Sequence, residues 1–331
     1  MMPTSGQLLF DMLQHAGSVA LVAHVSPDMD ALGASLGARE LLRQGFPALE
    51  RVDVFCQDPV PESYAFLDLT RLVLPPERAQ GPYDLCIAVD VASYDRLGSC
   101  AALFDRARAR FVIDHHGSND FENVPRLLLP QSAATAQIVV DLCLERGVRL
   151  SAEAASCLYA GLSTDTGNFS FEAVTPGTFR AAAWLVEQGA KPDWITQRLY
   201  RTRSASSVRA LGRALDTMRL SAGGRVALLC LSLADRREVG AQDGDYEGIV
   251  NYGIETKGVL AAALVSQRDE GIRCSVRTKE GVDAAAVARR FGGGGHPRAA
   301  GMSLQGELDQ ALEAVRRALE EAVEEACRTD S

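Results

Sequence analysis

Residues 19–33 read VALVAHVSPDMDALG, and this stretch decides the fold of the first half of the chain. Residues 19–23 are apolar throughout, which is typical of a strand buried on both faces of a parallel sheet. A segment of helical period follows after a short polar turn that carries His24, Asp28 and Asp30. Because the carboxyl ends of parallel strands open into the ligand crevice, we expect these three side chains to project there together.

The chemistry of this turn suits a metal centre. His24 and Asp28 can face one cation, while Asp30 faces a second. A cap on the following helix explains Asp28 or Asp30 equally well, because aspartate is common at that position. The stretch alone leaves both interpretations open.

Short apolar runs alternate with helical segments through the first half of the chain. The runs are residues 52–56, 85–89 and 111–113, and the helical segments are residues 31–44 and 133–146. This alternation predicts right-handed βαβ units and a doubly wound parallel sheet. Residues 151–200 have a mostly helical pattern. We therefore assign residues 1–200 to a first α/β domain.

The pattern of predicted strands and helices changes after a predicted connecting helix within residues 201–220. Residues 225–232, 259–266 and 272–278 are predicted strands, residues 284–291 a helix, and residues 307–327 an amphipathic closing helix. Residues 221–331 are therefore predicted to form a smaller α/β domain with a mixed sheet, and we expect a cleft between the two domains.

The composition limits the classes of partner. A chain of 331 residues with 47% hydrophobic composition can build two cores, and its net charge of −9 argues against long duplex nucleic acid as a partner. The eight cysteines form no CxxC pair, which favours a reducing cytoplasm and excludes a zinc knuckle. We find no secretory leader and no apolar run of the roughly 20 residues that span a bilayer, so we expect a cytoplasmic protein without a membrane segment.

Three further segments carry groups that bind metals. Asp90 directly follows the run 85–89. Taken alone, an aspartate in this position is most often a turn residue. At this edge of the sheet, however, its two oxygens can bridge two cations about 3.5–4 Å apart. The run 111–113 ends in Asp114, His115 and His116, and adjacent histidines are rarely structural filler. Asp165 lies in a segment that, alone, reads as an ordinary polar loop. Together the segments predict a dimetal site.

These segments resemble a known family. HVSPDMD, AVD, IDHHGSN and STDTGNF resemble motifs I to IV of the DHH phosphoesterase superfamily, and FGGGGHPRAAG at residues 291–301 resembles the signature of its associated DHHA1 domain. The closest resemblance is to the compact NrnA-type enzymes. Met29 departs from the usual PDGD of motif I but leaves both carboxylates in place.

The resemblance implies a role for each matching residue. His116 would face the substrate phosphate, and Asp114 would orient its neighbours. One metal would be held by His24, Asp28 and Asp90, and the other by Asp30, Asp90, His115 and Asp165. Oxygen-rich ligands with a minority of imidazole favour two Mn²⁺ ions, with Mg²⁺ or Co²⁺ as substitutes.

The glycine run in the second half is a predicted phosphate site. Successive backbone N–H groups of Gly293, Gly294 and Gly295 can form an anion-binding nest, to which His296 and Arg298 would add charge-assisted hydrogen bonds. A flexible linker is the alternative, but a linker is not expected between a helix and an apolar strand. Arg277 is a weaker candidate and could equally be a solvated strand residue.

The resemblance implies hydrolysis of very short RNA to mononucleotides, with phosphatase activity on 3′-phosphoadenosine 5′-phosphate as a second activity. The alternatives are a phosphodiesterase acting on cyclic di-adenylate or pApA, a RecJ-like single-strand exonuclease, and an inactive nucleotide-binding regulator. Short single-stranded RNA or small nucleotides are the expected partners. A homodimer is compatible with the sequence, which does not determine the oligomeric state.

Overall fold

A computed structural model describes residues 4–329, which divide into two compact units between Thr202 and Arg203. The first unit contains a sheet of six strands in the order β3-β2-β1-β4-β5-β6, and every neighbouring pair is parallel. This confirms the predicted doubly wound sheet. Its strands are β1 (Ser18–Val22), β2 (Arg51–Phe55), β3 (Val73–Leu74), β4 (Leu85–Val89), β5 (Ala109–Asp114) and β6 (Arg126–Leu128).

The described residues of the first unit also form seven α-helices. They are α1 (Thr4–Gln14), α2 (Met29–Gly45), α3 (Ala101–Arg106), α4 (Thr135–Arg146), α5 (Ala152–Asp165), α6 (Pro176–Glu187) and α7 (Pro192–Tyr200). Consecutive residues of β1 face opposite sides of the sheet, so Leu21 packs in one hydrophobic cluster and Val22 in another. Burial on both faces is the reason that residues 19–22 of this strand are all apolar.

The second unit contains a mixed sheet, as predicted, in the order β11-β12-β10-β9-β8-β7. Only β8 and β9 are parallel among its described pairs. The strands are β7 (Arg219–Ser221), β8 (Val226–Leu231), β9 (Ala261–Arg268), β10 (Gly271–Thr278), β11 (Gly294–His296) and β12 (Ala299–Leu304). The helices are α8 (Ala205–Asp216), α9 (Leu233–Val239), α10 (Ile249–Glu255), α11 (Ala284–Arg289) and α12 (Leu308–Thr329).

The segment predicted as a connecting helix is α8. Ala210 and Ala214 are fully buried in a hydrophobic cluster of the second unit, so this helix is part of that unit's core. The closing helix α12 buries Val315, Leu319 and Val323 against the same unit, as its helical period predicts. Within residues 4–329, no helix is both long and apolar enough to cross a membrane.

Helices α2 and α5 pack closely enough to require glycine at their contact. A Cβ on Gly33 would collide with the carbonyl oxygen of Cys157, and a Cβ on Gly161 would lie 3.0 Å from the Cα of Asp30. The same two helices carry Asp30 and Asp165. Their close approach therefore sets the separation of two predicted metal ligands.

We predict that Gly33→Ala lowers the free energy of unfolding of the first unit by about 1–3 kcal/mol, because the helices must separate to admit the methyl group. A urea titration followed by tryptophan fluorescence measures this, since Trp184 and Trp194 both lie in the first unit. The matched control is Gly212→Ala in α8, where a Cβ meets open space. Circular dichroism should show the control unchanged or stabilised by up to about 1 kcal/mol. Equal stability of Gly33→Ala and wild type would contradict the packing argument.

Candidate metal centre

The predicted ligands of the first unit come from neighbouring strand ends. His24 lies just beyond β1, Asp90 directly follows β4, and His115 directly follows β5. Strand β4 lies between β1 and β5, and the direction of strand succession reverses between β1 and β4, which is where ligands bind in doubly wound sheets. Asp90 has a φ of +60°, an uncommon conformation for a residue other than glycine. This backbone turn directs the chain away from the sheet at the reversal point.

The structure gathers the six predicted ligands into groups that could hold a metal. Within each group the ligand atoms lie within 4.8 Å of one another. The groups are His24, Asp28 and Asp90; Asp30, His115 and Asp165; and Asp90, His115 and His116. Asp90 is shared by the first and third groups and His115 by the second and third, so the three groups form one continuous cluster. His116, predicted to face the phosphate, also lies in this cluster.

The two imidazoles at the strand ends are held by backbone carbonyl groups. His24 Nδ1 lies 2.8 Å from the Val25 carbonyl oxygen, and His115 Nδ1 lies 3.2 Å from that of Ser132. In the tautomer that donates from Nδ1, Nε2 keeps its lone pair for a cation, as is usual for metal-binding histidine. His24 Nε2 is 3.7 Å from Asp28 Oδ2, and His115 Nε2 is 3.2 Å from Asp165 Oδ2.

Arg96 gives His24 a competing contact. Its Nη2 lies 2.7 Å from the same Nδ1 that faces Val25. An imidazole nitrogen cannot accept from Arg96 while it donates to Val25, so the two contacts exclude each other. The tautomer ready for a metal is the one that donates to Val25.

Two carboxylates of the cluster are buried, and a third, Asp165, is partly buried. Asp30 and Asp90 are each only 1% exposed. Burial, reinforced by neighbouring carboxylates, raises the pKa of both. Burial also raises the pKa of Asp165 to about 6. Such crowding of acidic groups disfavours their ionised forms, and divalent cations would reverse this. The donor set of oxygens and imidazoles, without a thiol, fits hard or borderline divalent cations.

The amino end of α4 donates hydrogen bonds to two of these carboxylates. The sequence did not predict these contacts. The Thr135 and Ala136 N–H groups donate to Asp30 at 2.7 and 2.9 Å, and the Thr135 hydroxyl donates to Asp90 Oδ1 at 2.7 Å. Ala134, at the N-cap of α4, has no side chain that can cap the helix. Asp30 therefore caps a helix that begins 105 residues later. No local signal in the sequence marks this contact.

Asp28 caps a helix and also lies in one of the groups that could hold a metal. It is the N-cap of α2, where its Oδ1 accepts a hydrogen bond of 3.0 Å from the Ala31 N–H. Its second oxygen, Oδ2, faces His24 Nε2 in the first group of the cluster. The cap uses Oδ1 and leaves Oδ2 available, so capping would not exclude metal binding by the same carboxylate.

Asp114 lies behind the histidines and organises them. Its Oδ1 accepts from the His115 N–H and from His116 Nδ1 at 2.9 and 2.8 Å, and its Oδ2 accepts from Asn119 at 2.8 Å. Burial opposes ionisation of Asp114, but the bonds from His116 and Asn119 outweigh it and lower its pKa. The hydrogen bond to Asp114 raises the pKa of His116 to about 9. Asn119 was not predicted as a site residue, although it ends the quoted segment IDHHGSN.

The glycine run of the second unit has a structural role. Gly294, Gly295 and His296 form β11, which pairs antiparallel with β12. A Cβ on Gly293 would collide with the Gly301 carbonyl oxygen, and Gly295 has a φ of +146°. A Cβ on Gly294 would meet open space. Close approach to β12 therefore explains Gly293 and Gly295, whereas Gly294 has no such structural requirement.

The cationic candidates of the second unit differ in their surroundings. His296 and Arg298 are exposed, and Arg298 Nη1 donates to the Lys279 carbonyl oxygen at 2.8 Å. This bond fixes one edge of the guanidinium group close to the end of β10. Arg277 is partly buried, and burial lowers its pKa. Arg277 is therefore not the freely solvated strand residue that the sequence left as one alternative.

Comparison with known proteins identifies the class of enzyme. Residues 18–162 match the DHH family, N-terminal domain, and residues 223–325 match the DHHA1 domain. The chain is 35% identical over 310 residues to the bifunctional oligoribonuclease and PAP phosphatase NrnA of Thermus thermophilus, covering 92% of this chain and 90% of that protein. The chain therefore belongs to the DHH/DHHA1 phosphoesterase family.

Two further relatives bear on the fold and on the range of activities. An exopolyphosphatase-related protein from Bacteroides fragilis, of known crystal structure, is 26% identical with a TM-score of 0.88, and the alignment covers 96% of both chains. The cyclic-di-AMP phosphodiesterase GdpP of Geobacillus thermodenitrificans is 29% identical over 329 residues, which cover 92% of this chain. This chain spans 48% of that longer protein.

We predict that Mn²⁺ raises the melting temperature of the wild-type protein. A cation present at about one hundred times its Kd stabilises the native state by about 2.7 kcal/mol, which is a rise of roughly 5–10 °C for a unit of this size. Differential scanning fluorimetry with Mn²⁺ and then with excess chelator measures the rise and its reversal.

Asp90→Ala should lose most of this rise, because Asp90 belongs to two of the three groups. The matched control is Asp11→Asn, which removes an exposed carboxylate of α1 and should keep the full rise. A rise in Asp90→Ala equal to that of the wild type would show that the cation binds elsewhere.

We predict that Thr135→Val weakens Mn²⁺ binding by about 10- to 100-fold, a usual cost of losing a group that orients a metal ligand. Valine keeps the shape of threonine and the backbone N–H to Asp30 but lacks the hydroxyl that donates to Asp90. Isothermal titration with Mn²⁺ measures the change. Thr135→Ser keeps the hydroxyl and should restore most of the affinity. Equal Mn²⁺ affinities of the valine and serine variants would show that the Thr135 hydroxyl does not contribute to metal binding.

Proposed function

We propose that this chain is a two-metal phosphoesterase that hydrolyses very short oligoribonucleotides to mononucleotides and also dephosphorylates 3′-phosphoadenosine 5′-phosphate. The observation that carries the proposal is the continuous cluster in which Asp90 and His115 are shared among three ligand groups. The identity to the Thermus thermophilus protein over most of both chains supports the choice of substrates. We propose Mn²⁺ as the metal, with Mg²⁺ or Co²⁺ as substitutes, because oxygen donors predominate.

We propose that the ligands of this cluster hold two cations. One would be held by His24, Asp28 and Asp90, and the other by Asp30, Asp90, His115 and Asp165. Divalent cations bound there would polarise the phosphoryl oxygens and acidify a water molecule. The protein's part is to keep these ligands ionised, oriented and buried. Thr135 and the amino end of α4 contribute to this through Asp30 and Asp90.

His116 is the group best placed to supply a proton. Its Nδ1 is bonded to Asp114, and its pKa of about 9 keeps the imidazole protonated at neutral pH. Nδ1 is occupied by this bond, so Nε2 is the nitrogen that would approach the substrate. We propose that it donates a hydrogen bond to the phosphoryl group and a proton to the departing ester oxygen.

In the second unit, we propose that the glycine run binds a phosphate group of the substrate. Gly294 is exposed and is the glycine whose Cβ position is open, so its backbone can be approached by a ligand. His296 and Arg298 are exposed beside it and would supply charge-assisted hydrogen bonds. Arg277, which is partly buried, would contribute mainly long-range positive charge.

A second candidate activity is hydrolysis of cyclic di-adenylate or of its linear product pApA. The similarity to the cyclic-di-AMP phosphodiesterase GdpP over 329 residues favours including it. Both activities break a phosphoester bond and use the same cluster. They differ in the substrate that is accepted, so they are separated by measuring turnover.

We predict that, with Mn²⁺ present, kcat/KM is higher for a dinucleotide and for 3′-phosphoadenosine 5′-phosphate than for a long single strand or cyclic di-adenylate. Chromatographic analysis of the products from these substrates, a pentanucleotide and pApA measures the order. Asp90→Ala should lower turnover of every substrate by at least about 1000-fold, because it removes a ligand of both cations. Asp11→Asn should match the wild type.

A preference for cyclic di-adenylate would favour the second candidate, and a preference for the long strand would favour an exonuclease of the RecJ kind. Nucleotide binding without turnover of any substrate would indicate a regulator. Near-normal turnover by Asp90→Ala would contradict the proposed metal site.

A further inference from the structure

The chain makes an unusual turn immediately after Asp165. Gly167, Asn168 and Phe169 all have positive φ, at 55°, 55° and 63°. Glycine and asparagine tolerate this region, but for a bulky residue such as Phe169 it is a strained conformation. A conformation of this kind persists only where its surroundings enforce it, and it is often found at functional sites.

Hydrogen bonds to the end of α5 enforce the turn. The Asn168 N–H donates to the Ser163 carbonyl oxygen at 2.7 Å, and the Phe169 N–H donates to Thr166 Oγ1 at 3.0 Å. The Phe171 N–H then donates to the Thr166 carbonyl oxygen at 3.0 Å. The turn is therefore closed on the residue that follows Asp165.

The turn brings aromatic rings to the surface. Phe171 is 59% exposed, and its ring lies directly over Gly167, where a Cβ would collide with it. Phe169 stacks on Phe179 with a ring separation of 5.8 Å and an interplanar angle of 23°, and Phe179 is 56% exposed. We call Phe169, Phe171 and Phe179 the aromatic platform.

Packing explains only part of the platform, since Phe169 is partly buried against the core of the first unit and its ring lies 5.7 Å from that of Tyr159. Single exposed apolar residues are common on protein surfaces and need no function. Here, however, two phenylalanine rings are mostly in water, that of Phe171 directly after the strained turn and that of Phe179 in α6. The ring of Phe171 lies over Gly167, two residues after Asp165 of the ligand cluster, and core packing does not account for its exposure.

We propose that the aromatic platform, with Phe171 as its main element, stacks on a nucleobase of the substrate. This inference rests on the proposed phosphoesterase function and extends it to the recognition of the base. Every base has a π face, so stacking tolerates all four and selects nucleotides over phosphoesters that lack a base. The carboxylate of Asp165 and the platform belong to one continuous segment, so base and phosphate would be held by neighbouring groups.

The test compares Phe171→Leu with the wild type on two ligands, a dinucleotide and the same phosphodiester backbone without bases. Leucine keeps the apolar character but has no π face. We expect the Kd of a hydrolysis-resistant dinucleotide, measured in metal-free buffer by isothermal titration, to rise by about 5- to 150-fold. With Mn²⁺ and the cleavable dinucleotide, KM should rise similarly while kcat changes little. The ligand without bases should bind both proteins equally.

Phe171→Tyr keeps the ring and should recover most of the dinucleotide affinity that Phe171→Leu loses. An equal loss for the ligand with and without bases would assign Phe171 a purely structural effect on the Asp165 turn and overturn the proposal. If Phe171→Leu binds the dinucleotide as tightly as the wild type does, and the wild type hydrolyses it, the base-stacking proposal is wrong and the phosphoesterase proposal stands. Base-dependent binding through Phe171 without turnover of any substrate would support the platform and reject the phosphoesterase function.

Discussion

The burial of Asp30 and Asp90 is the constraint on which the rest of the site depends. A carboxylate removed from water is strongly destabilised unless positive charge or hydrogen bonds compensate. The amino end of α4 supplies three such bonds and the positive end of a helix dipole. The compensation is incomplete, because burial and neighbouring carboxylates still raise the pKa of both groups. A pair of divalent cations would remove this remaining cost. The burial that destabilises the ionised carboxylates therefore favours metal binding.

The geometry of the cluster follows from the packing of the first unit. Strand β4 lies between β1 and β5, so residues that leave these strands at the same edge become neighbours. The close contact of α2 with α5, which requires Gly33 and Gly161, sets the distance between Asp30 and Asp165. The core and the site are therefore coupled, and a change in helix separation acts on the ligands directly.

The sequence predicts most of the fold because its main elements carry strong local patterns. Strand β4 is buried along its whole length, and its unbroken apolar run was recognised with the correct limits. The sequence did not predict the short strands β3 and β6, because two or three residues are too few to show an alternating pattern. Helices α9 and α10, of seven residues each, are also too short for a clear pattern.

The sequence by itself determined which residue types occur at the strand ends, and hence the family, the class of chemistry and the candidate ligands. Only the tertiary structure decided that Asp30 caps α4, that Thr135 supports Asp90, that Asp28 both caps a helix and faces His24, and that close packing against β12 requires Gly293 and Gly295. The physical reason is that secondary structure and side-chain chemistry are encoded locally, whereas hydrogen bonds between residues as far apart as Asp30 and Thr135 exist only after the helices have packed on the sheet.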